Sequence, residues 1–209
     1  TRVYESKGYE ISNLKKLRDQ LEPIETLGNF QLSPDGRSAV EKIREKNLGD
    51  IVVRALIRRV NQLIPYNDFA GIVSLLSRAV RLSPEHFLAN RMMGDALLIQ
   101  GRYEEALAYY LAAYDIRDKD GPVLHGLGVA NQHLGRIDDA IESYRGALRV
   151  RPDHAETHNN LGVALGQAGD LAGALHHFEE AVRLRPGYAD AEQNLAMARS
   201  YRKGDPTGD

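Results

Sequence analysis

A helix-stopping position recurs every 34 residues in this chain, at Pro84, Asp118, Pro152 and Pro186. A fixed period of this size marks stacked copies of one supersecondary unit, none of which can bury its apolar face alone. The period governs other positions too. Small residues recur at Gly94, Gly128, Gly162 and Ala196, at Ala106, Ala140 and Ala174, and at Ala79, Ala113, Ala147 and Ala181. Bulky ones recur at Leu76, Tyr110, Tyr144 and Phe178, and at Met93, Leu127, Leu161 and Leu195, with a further glycine at Gly101, Gly135 and Gly169.

Each unit reads as two amphipathic helices, with apolar residues three and four apart. Leu161, Leu165 and Ala168 form one stripe, and Leu171, Leu175, Phe178 and Val182 the next. The small residues are expected where two helix backbones approach, and the bulky ones beside them. Gly101, Gly135 and Gly169 follow the first helices, where a left-handed residue closes a turn cheaply. The prolines end the second helices because proline cannot continue the hydrogen-bond ladder. Asp118 breaks the residue type, and the polar run Asp115 to Pro122 predicts a stop displaced to Gly121-Pro122.

These residues resemble the tetratricopeptide repeat over about residues 53–202. The resemblance implies an all-α fold, a right-handed α-α superhelix of units about 53–86, 87–120, 121–154 and 155–188. The first unit is degenerate: Val60 and Ile72 stand where small residues are expected, Arg59 replaces an apolar residue, and Ile57 and Ile64 lie outside the usual stripe. Residues 1–50 are expected to be a helical N-terminal extension. One helix spans Ser12 to Leu21 through Leu14 and Leu17, a connector follows over 26–32, and a second helix opens at Ser33-Pro34-Asp35. It runs through Val40 and Ile43 to about Leu48, with Gly49 breaking it. That extension is expected to cap the first unit; the alternative is an arm lying in the binding groove. Residues 187–203 read as a cap helix with Glu192, Arg199 and Arg202 outward, and 204–209 as a flexible tail.

Composition narrows the function. A net charge of −2 argues against a general nucleic-acid binder. No apolar run reaches the roughly 20 residues that span a bilayer. Without cysteine there is no thiol nucleophile, thiolate metal site or disulfide frame, and this does not choose between cytosol and periplasm. Thr1 in place of Met leads to the expectation of a removed upstream segment. His154 and His158, or His176 and His177, lack the further ligands of a metal site. No phosphate loop, nucleophile elbow or carboxylate pair is present, so no enzyme activity, cofactor or metal is expected.

The resemblance places a peptide-binding groove on the first helices. The residues carried to it are Arg54, Arg58 and Asn61; Arg91, Met92 and Asp95, with Leu88, Leu98 and Ile99; His125, Val129 and Gln132, with His133; Asn159, Asn160 and Val163, with Glu156 and Gln167; and Asn194, with Asp190 and Gln193. Amides, methyl groups and isolated charges suit a peptide, whose backbone needs partners and whose apolar side chains need shallow pockets. Arg54, Arg58 and Arg91 would draw an acidic part of the ligand to the first units. The carboxylate clamp of chaperone-tail binders is absent: Asp95, Gly126, Glu156 and Asn160 occupy its positions. An asparagine ladder like that of glycosyltransferase-type arrays survives at Asn160 and Asn194 but fails at Met92 and Gly126. His125 and His133, two turns apart, suggest pH-sensitive binding. The function implied is a scaffold or adaptor for a protein or peptide partner. The alternatives are a substrate-recruiting region of a larger enzyme, such as a glycosyltransferase, and a self-associating homo-oligomeric scaffold.

Overall fold

The computed structural model describes the backbone of residues 34–202 and the side chains of residues 49–201. The chain divides into two units, residues 1–51 and 52–209. The expected helix over Ser12 to Leu21, the connector, the 204–209 tail and any packing of Val40 and Ile43 lie outside the described residues. Helix α1 spans Pro34–Leu63, so Gly49 does not end it. An interior glycine costs about 1 kcal/mol relative to alanine. Burial of Val53, Leu56, Ile57 and Val60 farther along the same helix stabilises by more, at roughly 1.5–3 kcal/mol for each such side chain.

After a 3-10 turn at Ile64–Tyr66, eight further helices follow: α2 (Phe69–Leu82), α3 (Phe87–Ile99), α4 (Tyr103–Ile116), α5 (Gly121–His133), α6 (Ile137–Val150), α7 (Ala155–Gln167), α8 (Leu171–Leu184) and α9 (Ala189–Arg202). Among the described residues there is no strand, and the fold is an all-α repeat solenoid. Asp68, Asp120 and Asp170 cap α2, α5 and α8, each accepting from the backbone N–H three residues on at 2.8–3.0 Å. Gly101, Gly135 and Gly169 have φ of +72°, +74° and +87°, the left-handed conformation the sequence called for.

The stop at Asp118 is not displaced. Helix α4 ends at Ile116, in register with Leu82, Val150 and Leu184, while Pro122 opens α5. Arg117 N–H donates to Ala113 O as Arg151 and Arg185 donate to Ala147 O and Ala181 O beside their prolines, and it leaves the helix in a similar extended conformation. At Pro84 and Pro152 a side chain six residues later ties the proline carbonyl. Asn90 Nδ2 donates to Pro84 O at 2.7 Å, and His158 Nε2 bonds to Pro152 O at 2.9 Å. The unit built on Asp118 carries Leu124 at that place.

Packing follows the period. A Cβ on Gly94 would come within 2.8 Å of the Tyr110 ring, and one on Gly162 within 2.6 Å of Phe178; Gly128 lies under Tyr144 more tightly still. Val60 and Ile72 of the first unit are buried with Leu76, Met93, Leu97 and Tyr110, so large residues there fill the first core cluster. A second cluster gathers Tyr144, Leu161, Leu165, Phe178 and Leu195. Helices α3, α5, α7 and α9 approach one another in turn more closely than do α4, α6 and α8. The stack therefore curves with the first helices on its inner face.

Gly128→Ala is expected to destabilise the array by about 1–3 kcal/mol through overpacking against Tyr144. Gly166→Ala, whose added Cβ meets only Ala174 at 3.9 Å, should instead gain about 0.5–1 kcal/mol. Urea midpoints of the two variants check this, and a neutral Gly128→Ala would contradict the packing account.

Candidate functional site

The inner face is cross-bonded along its C-terminal half. His125 of α5 meets Thr157 of α7 at 2.8 Å, and Gln132 Nε2 donates to Gln167 Oε1 at 3.0 Å. Asn194 Nδ2 of α9 donates to Asn159 Oδ1 at 2.9 Å. Among the described residues no side-chain hydrogen bond joins α3 to α5. There the surface opens into a pocket of about 420 Å³.

Its floor is apolar, made by Leu98 and Ile99 of α3 with Pro122 and Val129 of α5. Ile99 is 63% exposed, a large apolar side chain left to solvent. Gly126 has no side chain to intrude, and the Tyr110 ring occupies the space where its Cβ would be. The Tyr110 hydroxyl thereby reaches the groove and donates to Asp95 Oδ1 at 2.8 Å. Burial raises the Asp95 carboxyl above its ordinary range, while the Tyr110 hydrogen bond and Arg91 pull it down. Burial and the adjacent Asp95 push the Tyr110 phenol up.

The opposite wall holds Glu156, Asn160 and a histidine pair. His125 Nδ1 and His154 Nδ1 lie 2.8 and 2.7 Å from Thr157 Oγ1. Thr157 is buried, and a hydroxyl has one proton, so at most one imidazole accepts from it and the other donates. His125 Nε2 stands 3.8 Å from Glu156 Oε1. Burial lowers both histidines, with Arg151 adding to the effect and Glu156 opposing it. A second cluster lies outside the pocket. His158 Nδ1 and His177 Nδ1 are 3.0 Å apart, and because His158 Nε2–H serves Pro152 O, His177 is the donor between them. Burial first, then His158, His176 and Arg145, push His177 down to about 4, with Glu180 opposing. No group of three or more metal-ligating side chains among the described residues is arranged to hold a metal.

Of the residues carried to the groove from sequence, the pocket brings together Asp95, His125, Val129 and Asn160, with Leu98, Ile99 and Glu156 beside them. Arg54, Arg58 and Asn61 are exposed on α1, away from it. Arg91 is half-buried, and its Nε has no partner. Met92 packs on the first core cluster and Val163 on the second. Gln132 is occupied by Gln167 and by the Tyr144 hydroxyl, which donates to its Oε1 at 2.9 Å. Asn159 is buried, and Asn194 is bonded to it. His133 stacks on Tyr103 at 4.2 Å, so the partner of His125 in the groove is His154. Sequence reasoning missed Tyr110, Arg151, His154 and Thr157. A count of first-helix positions omits the ring that reaches through from α4 and the turn after α6. The glycine at position 126, where an asparagine was expected, was the available signal.

Sequence models of the tetratricopeptide repeat family match residues 72–121 and 120–187. No curated protein matches the chain in sequence. Solved structures share the fold. MamA from Desulfovibrio magneticus RS-1 superposes with a TM-score of 0.68 at 17% identity, over 74% of this chain and 87% of that one. YrrB, described as a TPR protein with an unusual peptide-binding site, gives 0.63 at 22% identity, over 73% and 78%. The pilF protein of Pseudomonas aeruginosa gives 0.65 at 18%, over 75% and 71%.

The lowered histidines set a pH dependence. An imidazole harder to protonate folded than unfolded leaves the unfolded chain with more bound protons between its two pKa values, so stability rises with pH across that window. For His177 the window runs from about 4 to the ordinary 6.5. Urea midpoints should climb over this range, and His177→Gln, which keeps a donor for His158, should flatten the climb. A midpoint that falls as pH rises there would contradict the burial of these rings.

Proposed function

Because this chain is a tetratricopeptide repeat protein, a repeat class built for protein interaction, we propose that it is a non-catalytic scaffold that holds an extended or helical segment of a partner protein across its inner face. The observation that carries the reading is the open pocket lined from α3, α5 and α7, beside the α3–α5 junction that no side-chain hydrogen bond bridges among the described residues. Its floor of Leu98, Ile99, Pro122 and Val129 suits an apolar anchor. Asn160 offers its amide N–H donors, and its Oδ1, which accepts one 3.4 Å bond from Asn159 Nδ2, has a second lone pair for a peptide N–H. The peptide-binding site described for YrrB lies on a similar fold and supports the reading by analogy only.

The pocket is poor material for covalent chemistry. Thr157 is the hydroxyl nearest to histidine, yet it is 1% exposed and both imidazoles meet it from within the wall. Arg54 and Arg58 are exposed on α1, and with Arg91 they favour an acidic stretch of ligand at that end. Among the described residues no helix is long and apolar enough to cross a membrane.

A photo-crosslinking residue introduced at Ile99 or Val129 is expected to capture one partner segment, identifiable by mass spectrometry. The same residue at Glu142 or Arg145, exposed on α6, should capture none of it. Asn160→Ala together with Ile99→Ser should reduce capture at Val129 about tenfold, roughly the loss of one amide pair and one apolar contact. Capture from α6 with none from the groove would overturn the reading.

A further inference from the structure

We propose that the pocket at Asp95 takes the cationic side chain of a lysine or arginine in the bound segment, its stem on Leu98 and Val129 and its head at the Asp95 carboxylate. This rests on the groove being the binding face and specifies what that face selects.

The repeat register singles out Asp95. Its counterparts one and two units later are Val129 and Val163, so an acid stands where the following units place a methyl-bearing side chain. The carboxylate is built in rather than solvated. Tyr110, the buried ring of its own unit, donates to Oδ1 at 2.8 Å, and Gly126 gives that ring room to do so. Yet among the described residues no lysine, arginine or histidine forms an ion pair with it. A partly desolvated carboxylate with one hydrogen bond and no counter-ion is a costly arrangement, and an arriving cation relieves it.

The surrounding charges balance and leave Asp95 unopposed. From α3 itself Arg91 attracts the carboxylate, and Asp120 at the start of α5 repels it. Across the pocket α7 supplies Glu156, and the turn after α6 supplies Arg151. Two acids and two bases thus surround Asp95, with the Tyr110 phenol neutral, so its own carboxylate sets the sign of the pocket. His125 and His154, both lowered by burial, carry no charge at neutral pH and do not repel a cation there. The apolar walls fit the methylene stem of lysine or arginine, whose head alone needs polar company. An acidic side chain would instead meet Asp95 at close range, and like charges in such a site disfavour binding strongly.

The test uses three peptides of about ten residues on one leucine-containing background, differing only in a central lysine, glutamine or glutamate. Each is titrated into the full chain and followed by amide NMR shifts. The lysine peptide should bind about tenfold more tightly than the glutamate peptide, with shifts centred on Asp95, Leu98 and Val129. Asp95→Asn keeps an acceptor for Tyr110 and should bring the two peptides within about twofold while leaving the glutamine peptide unchanged. Asp95→Val, which copies the later units, should do the same. Equal binding of all three, a preference for glutamate, or a lysine preference that survives Asp95→Asn overturns the cation site while the groove reading stands. Absence of groove shifts with every peptide also overturns it, and the groove reading is then judged by crosslinking from Ile99 and Val129 alone.

Discussion

Each ring that closes a unit lies on a glycine of a first helix: Tyr110 over Gly94, Tyr144 over Gly128, and Phe178 over Gly162. The close approach lets two helix backbones share one buried ring, and interiors at this density do not absorb an extra methyl without displacement. The small residues around it, Ala106, Ala140 and Ala174, are fully buried for the same reason. Unit spacing, the curvature that turns first helices inward and the position of every groove residue all follow from this contact. A solenoid has few contacts between distant units, so each local fit sets the next.

The same contact explains the departures from regularity. Tyr110 also lies over Gly126 of the next unit, at the register position where the following unit carries Asn160. Removing a side chain there has two consequences. The ring tip advances until its hydroxyl meets Asp95, and the surface in front of it is left open. In the next unit Tyr144 meets the side chain of Gln132, which in turn bonds to Gln167, and that junction is closed. Phe178 has no hydroxyl at all. Three versions of one packing solution therefore give three different stretches of inner face.

Much of this was legible in the sequence because the period is a constraint on backbone distance, and such constraints leave fixed residue types behind. Gly101, Gly135 and Gly169 announced their left-handed turns, and the helix pairs followed from apolar spacing. Reading failed where a local rule met a tertiary one. Gly49 is a helix breaker by propensity, but burial of Val53 and Leu56 on the same helix outweighs it. The displaced stop at Asp118 takes proline to be what ends these helices, whereas α4 ends in register with the others without one. In the groove, position counting found Asp95, His125 and Asn160. It could not tell that Asn159 and Asn194 satisfy one another, because that depends on the distance between α7 and α9. Nor could it pair His125 with His154, which arrives from a turn and is joined to it through Thr157.

A repeat protein gains a specific site only where its repeats differ, since identical units would present the same surface at every step. Here the differences concentrate at one junction. Met92, Gly126, Asp95 and the unpartnered Arg91 Nε all belong to the α3–α5 stretch, whereas α5, α7 and α9 are bound to one another by amides and by the His125–Thr157 contact. Cross-bonded helices resist changes in spacing, because each bond would have to break in a partly buried setting. The α3–α5 junction has no such bonds among the described residues and is held by apolar packing, Met93, Ala96 and Leu97 of α3 sharing one core cluster with Val123 and Leu127 of α5. It is therefore the stretch whose inner surface is left open, lined by Leu98, Ile99 and Val129 rather than closed by side-chain bonds.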